Sequence, residues 1–378
     1  MTPQTLVLYS RLAFYPVHWQ ALEEIVASCS VRAVVLAAPA PELPSVHDAH
    51  GAAATSDSIE VRRMPAGSRR ERVAWLARQL REVRPDAVWV QEEPTDPFLL
   101  EILTLYRLRS RPRIVASVCE NIFPTPWRRL ERLARRLLWP RLDRLMAVAA
   151  PSVEGIRAAG MPASVPADTL VAGGLGPPEH VEPLEPPFPK SDFVVGFAGR
   201  LVEEKGWRVL AAALRSLPDE FKLAVAGDGP GLDGLRAELP GRVHYAGLLP
   251  KHELWSFYAA LDCLAVPSLT TLHWKEQLGG TLLDGLAMGI PVAASASGGL
   301  SEAMGDAGVL VPEADSAALS GALRRLREDE ALRERLAREG RERFRQEFAI
   351  PAYARKIATA LELRPLDVKA LSADGLHP

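Results

Sequence analysis

The 378-residue sequence predicts an α/β protein built as two doubly wound, Rossmann-like domains facing each other across a cleft. Three observations carry that expectation. Short apolar runs of strand length alternate with longer helical segments along the chain. A proline-dense stretch, GPPEHVEPLEPPFPKSD (residues 176–192), divides the series in two. The length also suits two domains, at roughly 150 residues each.

The runs come in order. The first half holds TLVLY, VRAVVLAA, DAVWVQ, RIVASV and RLMAVAA; the second holds FVVGFAG, FKLAVAG, RVHYAG, DCLAVPS, PVAASAS and GVLVP. Such near-continuous apolar strands suit parallel sheets covered on both faces. Helical patterns lie between many of them, including Glu71–Val83, Trp207–Arg215 and Lys251–Ala260. Proline fixes φ and lacks an amide donor, so the 176–192 stretch belongs to no helix or sheet interior. The reading is therefore a domain over 1–178, a linker over 179–192, a second domain over 193–350, and a closing helix and tail over 351–378. DEALRERLAREGRERFRQEF reads as a charged, solvated surface helix.

Composition bounds the function. With 48% hydrophobic and 24% charged residues the chain fits a soluble globular enzyme. A net charge of −2 gives no field that would gather nucleic acid. Cys29, Cys119 and Cys263 lie far apart, with no metal-ligand spacing and no disulfide framework, which suits a reducing cytoplasm. The chain opens without a basic-then-apolar leader, and no apolar run reaches the ~18 residues of a membrane span. A cytoplasmic protein is the expectation.

The chemistry concentrates in HWKEQLGGTLLDGLAMG, residues 273–289. Gly279 and Gly280 open a helix that Gly289 ends before the IPVAAS strand. A glycine-lined helix start offers unpaired amides and a positive dipole end to a phosphate. Asp284 falls about one turn further in, roughly 5 Å along the axis, where sugar hydroxyls beside a phosphate would lie. Glu276, on the loop side, would accept hydrogen bonds from a polyol beyond the phosphates. The implied ligand is a nucleotide sugar.

A second motif agrees. VVGFAGRLVEEKGWRVL (194–210) reads as strand, turn and helix, with Arg200 and Lys205 at the turn. Two cations at a strand's carboxyl end can neutralise a departing diphosphate. In AGDGP (226–230), Gly227 and Gly229 read mainly as a tight strand-to-helix turn, and HYAGLLP is a candidate for passing its backbone by the base.

The order GFAGRLVEEKG, VAGDGP, VHYAGLLPKHELWSFYAALDCLAVPS, EQLGGTLLDGLAMGIPVAASASGGLSE resembles the nucleotide-sugar-binding domain of retaining family 4 glycosyltransferases, which have the GT-B fold. The resemblance runs from about residue 193 to 350 and weakens before it. It implies that Arg200 and Lys205 bind the diphosphate and Glu276 contacts the donor sugar. It further implies that Leu278, Gly279 and Gly280 supply amides near the transferred sugar, and that Asp284 holds the ribose. Asp284 stands where the family usually has Glu, roughly 1.5 Å shorter in reach. No cofactor is implied beyond the nucleoside-diphosphate-sugar donor, and no metal. The resemblance also implies that the last helix, near Tyr353–Leu363, crosses back to the first domain. The tail after Pro365 is expected to be loosely attached.

The first half departs from the family. It lacks a Gly-rich loop after the first strand, where His18 and Gln20 stand instead. Glu92, Glu93, Glu120 and Asn121 end two further strands and are candidates to meet the acceptor, with Glu120 assigned to deprotonate it. Where many relatives place a His, this chain has Cys119 and Glu120; no activating partner marks Cys119 as a nucleophile. PWRRLERLARRLLWPRLDRL (126–145) is basic and amphipathic: Trp127, Leu130, Leu133, Leu137 and Leu138 share a stripe, with Arg128, Arg132, Arg135 and Arg136 mostly elsewhere. It reads first as a helix packed on its own domain with an arginine-rich outer face, and second as a peripheral contact with the inner face of a membrane.

The functional expectation is a retaining, metal-independent hexosyltransferase, with a glycan, lipid-linked or small-molecule acceptor. Polysaccharide, lipid-linked glycan or glycoconjugate assembly is the expected setting. A nucleotide-sugar epimerase of the same architecture and a non-catalytic nucleotide-sugar binder stay open as alternatives.

Overall fold

The computed structural model describes residues 2–10, 15–37, 58–93, 95, 97–106, 112–122, 129–184, 186 and 188–366, with 97, 98, 129 and 130 described by backbone alone. The chain divides into two compact units: Met1–Val148 with Ser152–Gly173 and Ile350–Pro378, and Ala149–Pro151 with Gly174–Ala349.

The first unit holds β1 (Gln4–Ser10), α1 (Pro16–Ser28), β2 (Val31–Ala37), β3 (Ile59–Arg63), α2 (Arg69–Val83), β4 (Ala87–Val90), α3 (Pro97–Leu105), β5 (Arg113–Val118), α4 (Arg129–Leu138), β6 (Arg144–Ala147), α5 (Ala150–Ala158) and β7 (Ala167–Asp168). Its strands pair in parallel in the order β3-β2-β1-β4-β5-β6-β7. The five runs expected from sequence form the centre of this sheet. β3, reading IEVRR, is too polar for the apolar-run criterion, and β7 has two residues. α2 begins at a capping box: the Ser68 hydroxyl accepts from Glu71 N–H at 3.4 Å, and the Glu71 carboxylate accepts from Ser68 N–H at 2.7 Å.

The second unit holds β8 (Phe193–Ala198), α6 (Trp207–Arg215), β9 (Phe221–Ala226), α7 (Leu232–Glu238), β10 (Val243–Gly247), α8 (Lys251–Ala259), β11 (Cys263–Val266), α9 (Gly280–Met288), β12 (Val292–Ser295), α10 (Leu300–Met304), β13 (Val309–Val311), α11 (Ser316–Glu328) and α12 (Glu330–Arg343). Its order β10-β9-β8-β11-β12-β13 is again wholly parallel. Val195, Phe197, Leu210, Leu214, Leu223, Val225 and Leu323 belong to its core. Each such buried side chain contributes about 1.5–3 kcal/mol. In chain order the sheet reads third, second, first, fourth, fifth, sixth. The direction of winding reverses between β8 and β11, and the crevice at their carboxyl ends is where such sheets take ligands.

Two expectations about connections are refined. The proline-dense stretch belongs to the second unit: Leu184 N–H donates to Ser256 O at 2.8 Å, and Phe188 packs edge-on against His244. The charged helix α12 is also more than a solvated surface. Leu332, Leu336 and Gly340 are buried, and Arg343, just before a π turn, donates to Glu302 O and Ala303 O. α13 (Ile350–Ala360) belongs to the first unit, where it packs on α1 and Lys356 donates to Leu170 O at 2.8 Å. The tail from residue 367 lies outside the described residues. No helix among the described residues is long and apolar enough to cross a membrane.

Candidate active site

The site forms where β8 and β11 of the second unit end. After β8 the chain passes Gly199 and Arg200 into a 3-10 turn, Glu203–Lys205, closed by Gly206 at φ 71°. A Cβ on Gly206 would stand 1.8 Å from Pro267 O, so only glycine lets this turn lie against the end of β11. Leu269 N–H donates to Glu204 O at 2.8 Å and fastens the same junction. These contacts bring Lys205 beside the β11–α9 loop.

There Lys205 Nζ lies 2.7 Å from Glu276 Oε2, which also accepts from Ser268 Oγ at 2.8 Å. The ammonium sits 4.6 Å from the centre of the Trp274 ring. Glu276 is buried, and its backbone is fixed from the other side: Gly299 N–H donates to Glu276 O at 3.1 Å. A Cβ on Gly298, at φ 55°, would fall 1.8 Å from that same oxygen. The glycines of SASGGLSE thus serve close approach to Glu276.

α9 starts at Gly279, which has φ 83° and no side-chain cap. Leu283 N–H makes the first bond, to Gly279 O at 3.1 Å, so the amides of Gly280, Thr281 and Leu282 precede it. A Cβ on Gly280 meets nothing within 4 Å. Thr281 Oγ1 donates to Ala198 O at 3.0 Å, fastening this helix start to the end of β8. Lys205, Ser268, Glu276, Gly279, Gly280 and Thr281 line one recess with Phe197, Ala198 and Pro267. A buried carboxylate, an ammonium and an open helix start therefore face one small volume, suited to a phosphate ester of a polyol.

The remaining expected residues divide. Leu278, in the β11–α9 loop, is buried. Arg200 stands at the same strand end, but its side chain is 62% exposed and 3.4 Å from Glu204; it does not line the recess. Asp284 faces α8: Lys251 Nζ binds Oδ1, and Tyr258 OH lies 3.2 Å from Oδ2. Burial raises the Asp284 carboxyl above its ordinary range, while the Lys251 charge and these hydrogen bonds pull it back. The sequence placed Asp284 toward the ligand; the structure shows both its oxygens engaged by α8. Gly227 and Gly229 pack on the backbone of Gly199 and Leu201, a turn role.

In the first unit, β4 and β5 end in a different chemistry. Glu93 Oε1 accepts from Cys119 N–H at 2.8 Å and Glu120 N–H at 3.0 Å, while Oε2 is buried without a hydrogen-bond partner among the described residues. Burial lifts its carboxyl to about 7, helped by the charges of Glu120 and Glu92 and opposed by the two amides. Glu120, the residue assigned from sequence, is exposed and contributes its amide here. Cys119 reaches the surface, but its thiol is desolvated and pushed up to about 12, with Glu93 and Glu120 adding to the rise, so it is no nucleophile at neutral pH. His18 is half-buried, with Tyr353 OH 3.2 Å from Nδ1 and Trp89 edge-on, and desolvation lowers it to about 4.

α4 overturns one sequence expectation. Arg135 is buried, donates to Thr95 O at 2.6 Å and lies over Trp139, whereas Leu133 and Leu137 are 54% and 63% exposed. The outer face therefore mixes leucine with Arg132 and Arg136. Trp127 and Arg128 lie outside the described residues.

Sequence reasoning missed Ser268, Trp274, Lys251, Tyr258 and the prominence of Glu93. Ser268 closes the CLAVPS strand and Trp274 precedes Glu276 by two residues, but neither position reveals its partner. Among the described residues no group of three or more His, Cys, Asp or Glu is arranged to hold a metal ion.

Residues 182–343 match the family model described as glycosyl transferases group 1. The matched stretch lies in the second unit and takes in Lys205, Glu276 and the start of α9. The 2-deoxystreptamine glucosyltransferase of Streptomyces kanamyceticus is 34% identical over 167 residues, 42% of each chain. The D-inositol 3-phosphate glycosyltransferase of Xylanimonas cellulosilytica is 34% identical over 192 residues, 47% of this chain and 45% of that one. The chain thus spans under half the length of these curated relatives. Among solved structures, sucrose-phosphate synthase of Thermosynechococcus elongatus aligns with a TM-score of 0.67 at 19% identity, over 98% of this chain and 100% of that one. HepE of Anabaena, solved in complex with UDP, aligns at 0.69 and 18%, over 95% and 99%. These likenesses establish the two-domain α/β fold, GT-B.

Proposed function

We propose that the chain is a hexosyltransferase moving a sugar from a nucleoside diphosphate to an acceptor hydroxyl with retention of configuration. The observation that carries this reading is the convergence of Lys205, Glu276 and the open start of α9 on one recess. In the reaction the bond from the anomeric carbon to the phosphate oxygen breaks, and its electron pair stays on the diphosphate. Lys205 and the amides of Gly280 and Thr281 stabilise that charge, and Arg200 reaches it by turning in from solvent. Glu276 accepts from the sugar hydroxyls. The acceptor oxygen joins the carbon on the face the phosphate leaves, and its proton passes to the phosphate oxygen. With the charge met by protein cations and amides, the step is metal-independent.

The nucleotide donor finds support in the UDP and UDP-glucose complexes solved for Anabaena HepE. A polysaccharide or lipid-linked acceptor finds support in relatives such as the putative colanic acid biosynthesis glycosyltransferase WcaL of Salmonella typhimurium, 31% identical over 175 residues, 43% of each chain. Leu133 and Leu137, flanked by Arg132 and Arg136, suit peripheral contact with an anionic membrane on the cytoplasmic side. Glu93, with Glu120 beside it, suits contact with the acceptor.

A thermal-shift screen of nucleoside diphosphates and their sugars tests the donor. One base is expected to raise the melting temperature as both diphosphate and diphosphate sugar. No response to any of them, or an epimerised sugar formed from the donor alone, sinks the reading. Liposome flotation with and without anionic lipid tests the membrane contact; absence from both floated fractions removes it.

A further inference from the structure

We propose that Trp274 is a positioning residue of the donor site: its indole face holds the Lys205 ammonium at the recess, so that the diphosphate meets a preset cation. The inference rests on the donor reading above and adds a residue that neither the motif nor the family match assigns.

Three observations meet here. Lys205 ends a flexible four-carbon stem, and a cation that must be gathered from many rotamers on binding loses affinity in the ordering. Two groups hold it: Glu276 at 2.7 Å and the Trp274 ring at 4.6 Å. They act differently. A carboxylate fixes the ammonium but cancels much of the charge that a diphosphate would feel. An aromatic face attracts the cation through its quadrupole and leaves its net charge intact.

The backbone that carries the indole is anchored. The Trp274 main-chain N–H donates to Thr271 Oγ1 at 3.0 Å, and Thr271 N–H donates to Trp274 O at 2.7 Å, closing a short turn. The adjoining Thr270 is clipped to Glu313 through its amide at 2.6 Å and its hydroxyl at 2.7 Å. The loop that presents the ring is thus fixed at its backbone, with the Lys205 ammonium on the ring's face.

The test uses the full chain as wild type, Trp274→Phe, Trp274→Leu, Lys205→Met and the Lys205→Met/Trp274→Leu double variant. The first readout needs no ligand. In 13C-lysine NMR, with Lys205 assigned by its loss in Lys205→Met, the ε-methylene is expected upfield from the ring current. It should stay partly upfield in Trp274→Phe and move to an ordinary position in Trp274→Leu. The second readout is calorimetric affinity for UDP, GDP and ADP. Trp274→Leu is expected to weaken the bound diphosphate about tenfold, and Trp274→Phe to stay within about threefold of wild type. In the Lys205→Met background Trp274→Leu should cost nothing further.

An ordinary ε-methylene shift in the wild type overturns the proposal. So does a Trp274→Leu loss that persists in the Lys205→Met background, or a Trp274→Phe variant as weak as Trp274→Leu, since each marks a merely structural ring. Wild-type protein that binds no nucleoside diphosphate overturns the donor reading, and this proposal with it; the other outcomes overturn the proposal alone.

Discussion

The carboxyl ends of the two sheets treat charge in opposite ways. In the second unit, β8 and β11 end beside a matched pair, Lys205 and Glu276, next to the open amides of α9. In the first, β4 and β5 and the start of α1 end beside groups whose charged forms the surroundings suppress: Glu93 raised to about 7 and His18 lowered to about 4. One end offers a fixed charge to an anion. The other holds a carboxyl and an imidazole whose charged forms burial disfavours. The same winding of strands and helices builds both, so the fold supplies the crevice and the strand-end residues supply the chemistry.

The comparison is broken most severely at Lys205. Lys205→Met removes the ammonium facing the recess and leaves Glu276 buried without its cation. Transfer is expected to fall about 1,000-fold, roughly 4 kcal/mol. Stability should fall by about 3 kcal/mol. Adding Glu276→Gln should restore stability but leave transfer low. Urea unfolding and initial rates on the three proteins check this; restored transfer in the double variant would sink the assigned role of Lys205.

His18 comes next in size. Its folded value of about 4 lies below the ordinary 6.5 because burial disfavours the imidazolium. The fold therefore holds the neutral ring. Its contribution is full above about pH 6.5 and is lost as pH falls toward 4. At about 1.4 kcal/mol per unit, roughly 2.5 kcal/mol should be gone by pH 4.5. Unfolding midpoints from pH 7.5 to 4.5, compared with those of His18→Asn, read this directly. Parallel curves would remove His18 as the source.

Glu93 runs with the opposite sign. Its carboxyl is raised by burial, so its contribution is full below about pH 4.5 and lost as pH climbs through 7. Glu93→Gln keeps an oxygen for the amides of Cys119 and Glu120 and removes the charge. The variant should match wild type at pH 5 and exceed it by about 2 kcal/mol at pH 8. A variant less stable than wild type at pH 8 would show that the carboxylate is ionised and held.

How much of this was legible depended on range along the chain. The apolar runs placed eleven strands because buried parallel strands need no alternation. Polar β3 escaped the same criterion. Lys205, Glu276, Gly279 and Gly280 were legible because each belongs to a strand–turn–helix unit whose geometry is local. What surrounds them was not. The Trp274 ring reaches Lys205 across 69 positions, and Lys251 reaches Asp284 across 33, contacts that exist only once β8, α8, β11 and α9 are packed. Arg135 shows the same limit. Helical spacing put it with the outer arginines, but a carbonyl at Thr95 and the face of Trp139 draw it inward. Similarly, Asp284 read as a ribose-holding acid with a shorter reach, and the packed structure gives it Lys251 and Tyr258 as partners.

Those partners set the smallest effect. Lys251 and Tyr258 tie α8 to α9 through Asp284, one turn beyond the amides that face the recess. Lys251 is 43% exposed, so solvent screens much of its attraction, and Lys251→Met should cost only about 1 kcal/mol at pH 8. The sign follows from Asp284. Burial already raises its carboxyl, and losing Lys251 raises it further, so the added cost exists only while Asp284 is ionised and fades as acid protonates it. Donor binding separates two uses of this clamp. If Asp284 only staples the helices, Lys251→Met and Asp284→Asn alter stability and leave nucleoside diphosphate affinity within about twofold. If the carboxylate also meets the ribose, as the family resemblance implies, Asp284→Asn weakens ribonucleoside diphosphates about tenfold and their 2′,3′-dideoxy counterparts hardly at all. Calorimetry on that ligand pair decides between a staple and a sugar clamp.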